Sequence, residues 1–186
     1  MKRLFIATGI ITLSPELQQW KSGLRYALRH NDMVWVQDEV CHLTLRFLGA
    51  TPDSKLPVIR KAMERAAAHH PPMTLSLDKS GVFGSRYAPK VLWFGFEDFT
   101  ALSGLFADLE QQLVEEGFEH AYGNFVPHVT LARIKQVVDK RKFWQTIEAN
   151  SLNCQQQIQI NELTLYQSFL HKEGPEYKPL FKCRLS

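Results

Sequence analysis

Two short segments of this sequence carry the residues best suited to do chemistry. They are His42-Leu43-Thr44-Leu45, called here the first motif, and His128-Val129-Thr130-Leu131, the second motif, in a chain of 186 residues. In a β-strand, residues i and i+2 point to the same face. Each histidine should therefore share a face with its threonine, while the aliphatic residues point the other way.

Two histidines facing each other across a groove can divide acid–base catalysis between them. The unperturbed pKa of histidine, about 6.5, leaves both protonation states populated near neutrality. One imidazole can take a proton from an attacking oxygen while the other donates one to a departing oxygen. In-line displacement at phosphorus needs such groups on opposite sides of the phosphate, and a threonine beside each can donate to a non-bridging oxygen. This arrangement asks for no metal and no cofactor.

The other roles open to these histidines are less attractive. A single strand histidine is usually structural, but two in matched contexts favour function. A catalytic zinc site usually takes three protein ligands, and the chain contains neither an H-E-x-x-H segment nor an acidic residue at an obvious ligand spacing. The remaining histidines are interpreted as helix-end residues, where positive charge suits the helix dipole, or as loop residues. The helix-end histidines are His30, His69 and His70, and the loop histidines are His120 and His171.

The motifs lie in a chain that alternates strands and helices. Apolar periodicity predicts helices from Pro15, capped by Ser14, and over 56–66, 102–113 and 139–150. It predicts strands at 3–8, 33–36, 42–48, 73–77, 80–83, 91–94, 128–134, 157–167 and 180–185. Gly49 is expected to end the first motif strand.

The two halves of the chain repeat the same order of elements. Strand, helix, motif strand, helix, strand describes residues 3–83 and again 91–167, which argues for an internal duplication. No glycine-rich phosphate loop follows the first strand, and short links suit antiparallel pairing. We therefore expect one bilobal α+β domain over 1–186, with the C-terminal strand completing a sheet. Its two pseudo-twofold lobes would have antiparallel sheets, helices outside and a central cleft between His42 and His128.

Composition sets broad limits on location and partners. A net charge of +3, with 45% hydrophobic and 22% charged residues, is typical of a soluble protein and permits a polyanionic partner. The three cysteines form no C-x-x-C pair, and Cys41 is interpreted as apolar filler rather than a reactive thiol. The apolar start is interrupted by Thr8, Gly9 and Thr12, and no run approaches the ~20 apolar residues of a membrane span. We expect a cytoplasmic monomer without a signal peptide.

The motifs and their flanks resemble a known superfamily over nearly the whole chain. The likeness is to the 2H phosphoesterases, and within them to the LigT-like RNA 2′,3′-cyclic phosphodiesterases of bacteria and archaea, also called 2′-5′ RNA ligases. One motif of this kind is weak evidence for the family, but two motifs separated by about half the length of the chain are strong evidence. The residues that carry the likeness are Arg3-Leu4-Phe5-Ile6-Ala7, the first motif with Phe47-Leu48-Gly49, Pro127 and the second motif with Arg133, and Leu163-Thr164-Leu165-Tyr166.

The resemblance implies an activity and a set of roles. It implies hydrolysis of a 2′,3′-cyclic phosphate at an RNA end to a 2′-phosphate, without a metal, and a reversible joining of such an end to a 5′-hydroxyl. By analogy, His42 would donate a proton to the leaving 3′-oxygen and His128 would accept one from water. Thr44 and Thr130 would bind the phosphate. The symmetric motifs by themselves do not assign the acid and the base.

The family pattern includes an arginine near the phosphate, and the matching residue in this sequence is Arg133. Strand alternation places Arg133 on the face opposite His128, so this role requires a strand end or twist. Strand alternation places Arg46 on the same face as His42, but the family pattern has no arginine at this position. Two alternatives stay open: a binding module of the same fold without turnover, and a phosphodiesterase for another cyclic phosphate, from ADP-ribose or a tRNA-splicing intermediate.

Basic and aromatic residues suggest how RNA could be held. Five basic residues and one acid occupy 133–142, either as a solvated surface or as a contact for the RNA backbone. Phe47 and Tyr166 could stack on a base. Packing in the core explains Tyr166 equally well. It is the preferred interpretation for Phe47, because strand alternation places Phe47 on the face opposite His42.

Overall fold

The computed structural model describes residues 1–171 and 174–186. These residues form an α+β fold of antiparallel sheets and helices. The helices are α1 (Pro15–Ala27), α2 (Leu56–Ala67), α3 (Thr100–Glu115) and α4 (Lys140–Ala149). The strands are β1 (Lys2–Thr8), β2 (Asp32–Trp35), β3 (Thr44–Thr51), β4 (Met73–Leu77), β5 (Lys79–Gly84), β6 (Pro89–Gly95), β7 (Val129–Gln136), β8 (Gln156–Ile160), β9 (Glu162–His171) and β10 (Gly174–Arg184).

Two four-stranded sheets form the framework, and each takes strands from both halves of the chain. Sheet A has the order β10-β9-β1-β3 and contains the first motif, and sheet B has the order β2-β7-β6-β5 and contains the second. A small sheet joins β4 to β8. The proposed duplication of 3–83 and 91–167 stays a prediction, and the two segments interleave across both sheets.

Local sequence explains where the helices begin. The Ser14 hydroxyl accepts from the Leu17 amide at 3.3 Å, and Pro15 occupies the first turn, where its missing N–H costs nothing. The Asp139 carboxylate caps α4 in the same way, accepting from the Lys142 amide at 3.0 Å. The start predicted at Pro15 with Ser14 as its cap is confirmed, and the helix predicted from Asp139 begins one residue later, with Asp139 as its cap.

The helices pack on the outer faces of the sheets. Trp20 of α1 lies against Phe94 of β6, with ring centroids 5.2 Å apart. On sheet A, Glu110 of α3 pairs with Arg46 of β3 at 3.2 Å, and Arg60 of α2 lies over the ring of Phe181 in β10. This packing leaves the other face of each sheet free to form the cleft.

An isolated β-bridge joins the two sheets beside the cleft. Leu43 pairs antiparallel with Val129, and these are the residues that directly follow His42 and His128. Both are fully buried. The α+β fold with a central cleft, predicted from the sequence, is therefore confirmed.

Several predicted element limits were wrong. Gly49 does not end β3 but lies within it at φ 69°, opposite Leu4, where the register shifts. The stretch 157–167 divides into β8 and β9 at Asn161, and His171, expected in a loop, ends β9. The segments 73–77 and 80–83, predicted as neighbouring strands, lie in different sheets: β4 pairs with β8, whereas β5 pairs with β6.

In the described residues, no helix has the length and apolar character required to cross a membrane.

Candidate active site

Each of the two motif histidines lies just before a strand, His42 before β3 and His128 before β7. The bridge between Leu43 and Val129 brings the starts of β3 and β7 together, so His42 and His128 border the same cleft. They are close enough for the charge on His128 to lower the pKa of His42, after the larger effect of burial. The predicted face-to-face arrangement of the two motifs therefore has a structural basis.

Both imidazoles are held by the same hydrogen bond. Nδ1 of His42 lies 2.8 Å from the carbonyl oxygen of Val40, and Nδ1 of His128 lies 2.9 Å from that of Val126. A carbonyl oxygen only accepts, so Nδ1 must carry the proton in both rings. Each neutral ring therefore presents Nε2 as an acceptor, and each protonated ring presents it as a donor.

Aromatic side chains surround the two rings. Phe5 lies 5.1 Å from the ring of His42, and the edge of Tyr177 lies 4.9 Å from it at 83°. The ring of Phe83 meets that of His128 at 4.7 Å and 89°. These contacts fix the orientation of the imidazoles and shield them from water.

The loss of water changes the protonation of both histidines. Burial lowers the pKa of His42 and that of His128 below the usual 6.5, although the hydrogen bonds to Val40 and Val126 oppose this change. The positive charge of Arg133 lowers both pKa values further. In the free protein the two imidazoles are therefore easier to deprotonate than histidines in water.

The threonines share the cleft face with their histidines. In both motifs the aliphatic residues are buried, whereas Thr44 and Thr130 are only partly covered. None of the side-chain hydrogen bonds found in residues 1–171 and 174–186 uses either hydroxyl. Both hydroxyls are thus available to a ligand, and the predicted alternation within the motifs is confirmed.

A β-bulge follows the threonine in each motif. Along β3, Arg46 pairs with Ile6 and Thr44 with Ala7, so Leu45 is an extra residue. Along β7, Ala132 pairs with Leu92 and Thr130 with Trp93, so Leu131 is extra. An extra residue in one strand shifts the alternation of every residue beyond it.

The bulge removes the objection to Arg133 that simple alternation raised. Arg133 lies opposite Val91, which lies opposite Phe83, so all three point to the face where Phe83 meets His128. The expectation that Arg133 points away from His128 was wrong, because strict alternation does not hold across a bulge. None of the ion pairs formed by the described residues uses its exposed guanidinium.

Because of the equivalent bulge in the first motif, the side chains of Arg46 and Phe47 point to the faces of the sheet opposite to those expected. Phe47 lies opposite Phe5 on the His42 face, and 49% of its surface is exposed, so the expectation of core packing was wrong. Arg46 points to the outer face, towards Glu110 and the carbonyl of Glu119. Counted from their histidines, Phe47 and Arg133 occupy corresponding positions.

Comparisons with known proteins identify the family of this chain. The family model described as LigT like Phosphoesterase matches the chain twice, over residues 11–93 and 97–177. The chain belongs to this family. Two relatives named RNA 2′,3′-cyclic phosphodiesterase are those of Thermotoga maritima and Methanothermobacter thermautotrophicus. The first is 31% identical over 98% of this chain and 95% of the relative, and the second is 27% identical over 98% of each.

Solved structures confirm the fold of this LigT-like phosphoesterase. E. coli LigT complexed with 3′-AMP superposes with a TM-score of 0.77 at 24% identity, covering 100% of this chain and 98% of that one. The Thermus thermophilus protein TT0787 superposes with a TM-score of 0.72 at 27% identity, covering 98% of this chain and 97% of that one.

Some residues of the phosphoesterase cleft were not found from the sequence. Tyr177 lies between Pro175 and Pro179, a stretch that reads as a loop but forms the edge strand β10, where prolines are tolerated. Alternation along β1, which places Phe5 and Ala7 on one face, could have identified Phe5. Tyr166, predicted from the family pattern, stacks on Phe5 at 5.2 Å and is buried, so it forms part of the cleft wall.

The remaining reactive side chains lie apart from the cleft or are inert. Cys41 is buried, and this burial raises the pKa of its thiol to about 11, in agreement with the filler interpretation. His70 follows the end of α2 and lies 2.8 Å from Asp108 of α3. Within 1–171 and 174–186, no three His, Cys, Asp or Glu side chains form a group that could hold a metal ion.

Two glycines allow an indole to support the cleft. Trp93 of β6 lies opposite Gly81 and contacts Phe83 at 5.0 Å. A Cβ added at Gly81 would lie 2.3 Å from Cζ2 of Trp93, and one added at Gly95 would lie 2.6 Å from Cζ3. The phosphoesterase thus needs glycine at both places for the indole to lie against the sheet and hold Phe83 beside His128.

Replacing Gly81 with alanine should therefore disturb both stability and catalysis. We expect unfolding to become easier by about 1–3 kcal/mol, because overpacking forces the indole to shift. The matched control is Gly23→Ala in α1, where a new Cβ meets nothing within 4 Å. That change should stabilise the helix by roughly 0.5–1 kcal/mol. Denaturant unfolding measures the stability of both variants, and equal changes in the two would contradict the packing described for Trp93.

Proposed function

We propose that this phosphoesterase opens 2′,3′-cyclic phosphates at RNA ends and leaves a 2′-phosphate. The observation that carries the proposal is the pair of imidazoles on one cleft, each fixed through Nδ1 so that Nε2 is free for a substrate. Relatives named RNA 2′,3′-cyclic phosphodiesterase support the substrate class. A LigT structure complexed with 3′-AMP supports nucleotide binding.

The proposed reaction needs one proton acceptor and one proton donor. A water molecule attacks phosphorus, and His128 takes its proton. The bond from phosphorus to the 3′-oxygen breaks, and protonated His42 gives that oxygen a proton, so the product is a 3′-hydroxyl and a 2′-phosphate. The assignment of His42 as acid and His128 as base follows the family resemblance. The same displacement with a 5′-hydroxyl in place of water would join two RNA ends through a 2′-5′ linkage and release the 3′-hydroxyl, and this joining would be reversible.

The other cleft groups suit the charge that develops on the phosphate. The hydroxyls of Thr44 and Thr130 can each donate to a non-bridging oxygen, one from each motif. The exposed guanidinium of Arg133 adds a charge-assisted donor on the His128 side. Together these groups supply donors and positive charge from the protein itself, so the proposal includes independence from metal ions.

The test is the product formed from a cyclic mononucleotide. We expect adenosine 2′,3′-cyclic phosphate to yield adenosine 2′-phosphate at the same rate with and without a chelator, as separated by chromatography. A 3′-phosphate product would contradict the proposed choice of leaving oxygen, and loss of activity with the chelator would contradict metal independence. Tight binding without any product would favour the alternative, a binding module of the same fold.

The same assay across pH tests the two-histidine mechanism. The profile of kcat/KM reports the free enzyme, in which one imidazole must be neutral and the other protonated. Because burial, reinforced by Arg133, lowers the pKa of both, we expect a bell with its maximum below pH 6.5. The profile of kcat should lie at higher pH, since a bound phosphate anion favours protonated histidine. A profile that stays flat from about pH 4 to about pH 9 would exclude acid–base catalysis by these groups.

A further inference from the structure

A groove outside the catalytic cleft lies between the turn that joins β5 to β6 and the helix α4. Its volume is about 380 Å³, and it is called here the hairpin groove. Arg86 and Tyr87 line it from the turn, and Lys140, Arg141, Trp144 and Glu148 line it from α4. The indole Nε1 of Trp144 donates to the carbonyl of Arg86 at 3.0 Å, which fixes the turn against the helix.

The charge of the hairpin groove is predominantly positive. Its lining has the three cations Arg86, Lys140 and Arg141 against one acid, Glu148. Glu148 lies 3.4 Å from Arg86, but both side chains are largely exposed, and exposed pairs of this kind contribute little. Asp139, the nearby acid, is engaged in capping α4. A polyanion would therefore find unneutralised cations along this surface.

An exposed ring accompanies these cations. Tyr87 is 82% exposed at the turn. Cations that track a phosphate backbone, together with aromatic faces on which unpaired bases stack, are the combination used for single-stranded nucleic acid. A duplex would offer no unpaired base to such a ring. The chemistry of the hairpin groove thus suits one RNA strand.

The hairpin groove lies a short distance along the chain from the catalytic cleft. Phe83 contacts the ring of His128, and only three residues along the chain lead from Phe83 to Arg86, a span of at most about 10 Å. On the neighbouring strands, Arg133 lies opposite Val91, close to the start of β6 and to the same turn. The groove is therefore within reach of the nucleotides that precede a reacting end held between the histidines.

We propose that the hairpin groove binds the single-stranded RNA that leads to the reacting end. This inference rests on the proposed function and adds a preference for polymers over mononucleotides. The charged side chains of the groove contribute to binding of an oligonucleotide and contribute nothing to the reaction of a cyclic mononucleotide, which does not reach them.

The test compares two substrates with one triple variant, Arg86→Gln/Lys140→Gln/Arg141→Gln. For an RNA of about ten nucleotides with a 2′,3′-cyclic phosphate, we expect kcat/KM near 0.1 M salt to fall about tenfold to a hundredfold. With the cyclic mononucleotide it should stay within about twofold of the wild type, because the altered side chains would touch only the polymer. The salt slope for the RNA should become shallower by about 2, since each single-strand phosphate contact contributes about 0.7.

Further variants separate the hairpin groove from overall charge. Arg60→Gln/Lys61→Gln/Arg65→Gln removes the same charge from α2, on the outside of sheet A, and should leave the preference for RNA unchanged. Tyr87→Ala should weaken RNA binding alone. Glu148→Gln should strengthen it, because the substitution removes the one negative charge in the groove lining that repels phosphate.

The outcomes distinguish this inference from the proposed function. Equal losses with both substrates, or no loss with either, would overturn the assignment of the hairpin groove to RNA. If the wild type opened neither substrate, the proposed function would fail. Binding of an RNA that ends in a 2′-phosphate, compared between wild type and triple variant by fluorescence anisotropy, would still test the groove, and unchanged affinity there would overturn it.

Discussion

Replacing His128 with alanine is expected to lower kcat/KM for a cyclic mononucleotide by about a hundredfold to ten-thousandfold, the range typical of general acid or base catalysis. His42→Ala should cost a similar factor, because each imidazole moves a different proton of the same step. The double variant should lose little more than either single variant, since groups that act as a unit have non-additive effects. Steady-state kinetics of the four proteins measures this.

The pH profiles of the two variants identify the acid and the base. If His128 is the base, His128→Ala loses the acidic limb of the kcat/KM profile, and His42→Ala loses the alkaline limb. The matched control is His30→Ala, which removes an exposed histidine beyond the end of α1 and should keep both limbs. A full bell in both active-site variants would contradict the assignment of either histidine to catalysis.

Arg133→Gln should produce the second large loss, about a hundredfold in kcat/KM, as expected for removal of one charged donor from a developing oxyanion. Arg133→Lys should recover only part of it, because an ammonium cannot donate two parallel hydrogen bonds to a phosphate as a guanidinium does. Lys90→Gln is the control, since Lys90 lies on the adjacent strand β6 and carries the same charge.

A shift in pH dependence distinguishes an electrostatic role of Arg133 from a merely structural one. Its charge lowers the pKa of both His42 and His128, after the larger effect of burial. Arg133→Gln should therefore move both limbs of the kcat/KM profile to higher pH, whereas Arg133→Lys should leave them nearly in place. A lower rate with an unmoved profile would indicate that the substitution acts through packing alone.

The placement of the motif residues could be predicted from the sequence because it depends on local patterns. The alternation of His42 with Leu43 and of His128 with Val129 places the histidines towards the cleft and the aliphatic residues in the core. Their recurrence in both halves predicted that the strands would meet, and the bridge between Leu43 and Val129 joins them. The identity and facing of the histidines and threonines thus required no knowledge of tertiary pairing.

The rest of the site depends on pairings that a single strand does not encode. The bulges at Leu45 and Leu131 arise from register against β1 and β6, and they decide that Phe47 and Arg133 face the cleft. Tyr177 reaches His42 only because β10 pairs with β9 at the far edge of sheet A. Alternation counted along the sequence therefore misplaced Phe47 and Arg133, and proline content concealed Tyr177.

The paired bulges also make the cleft directional. They give the two motifs nearly the same backbone, yet the matching positions hold an apolar ring at Phe47 and a cation at Arg133. A molecule with one anionic end and one aromatic end gains more energy in one orientation than in the reverse. A site that is almost symmetric in shape thereby distinguishes the two ends of its ligand, so its two histidines need not be interchangeable.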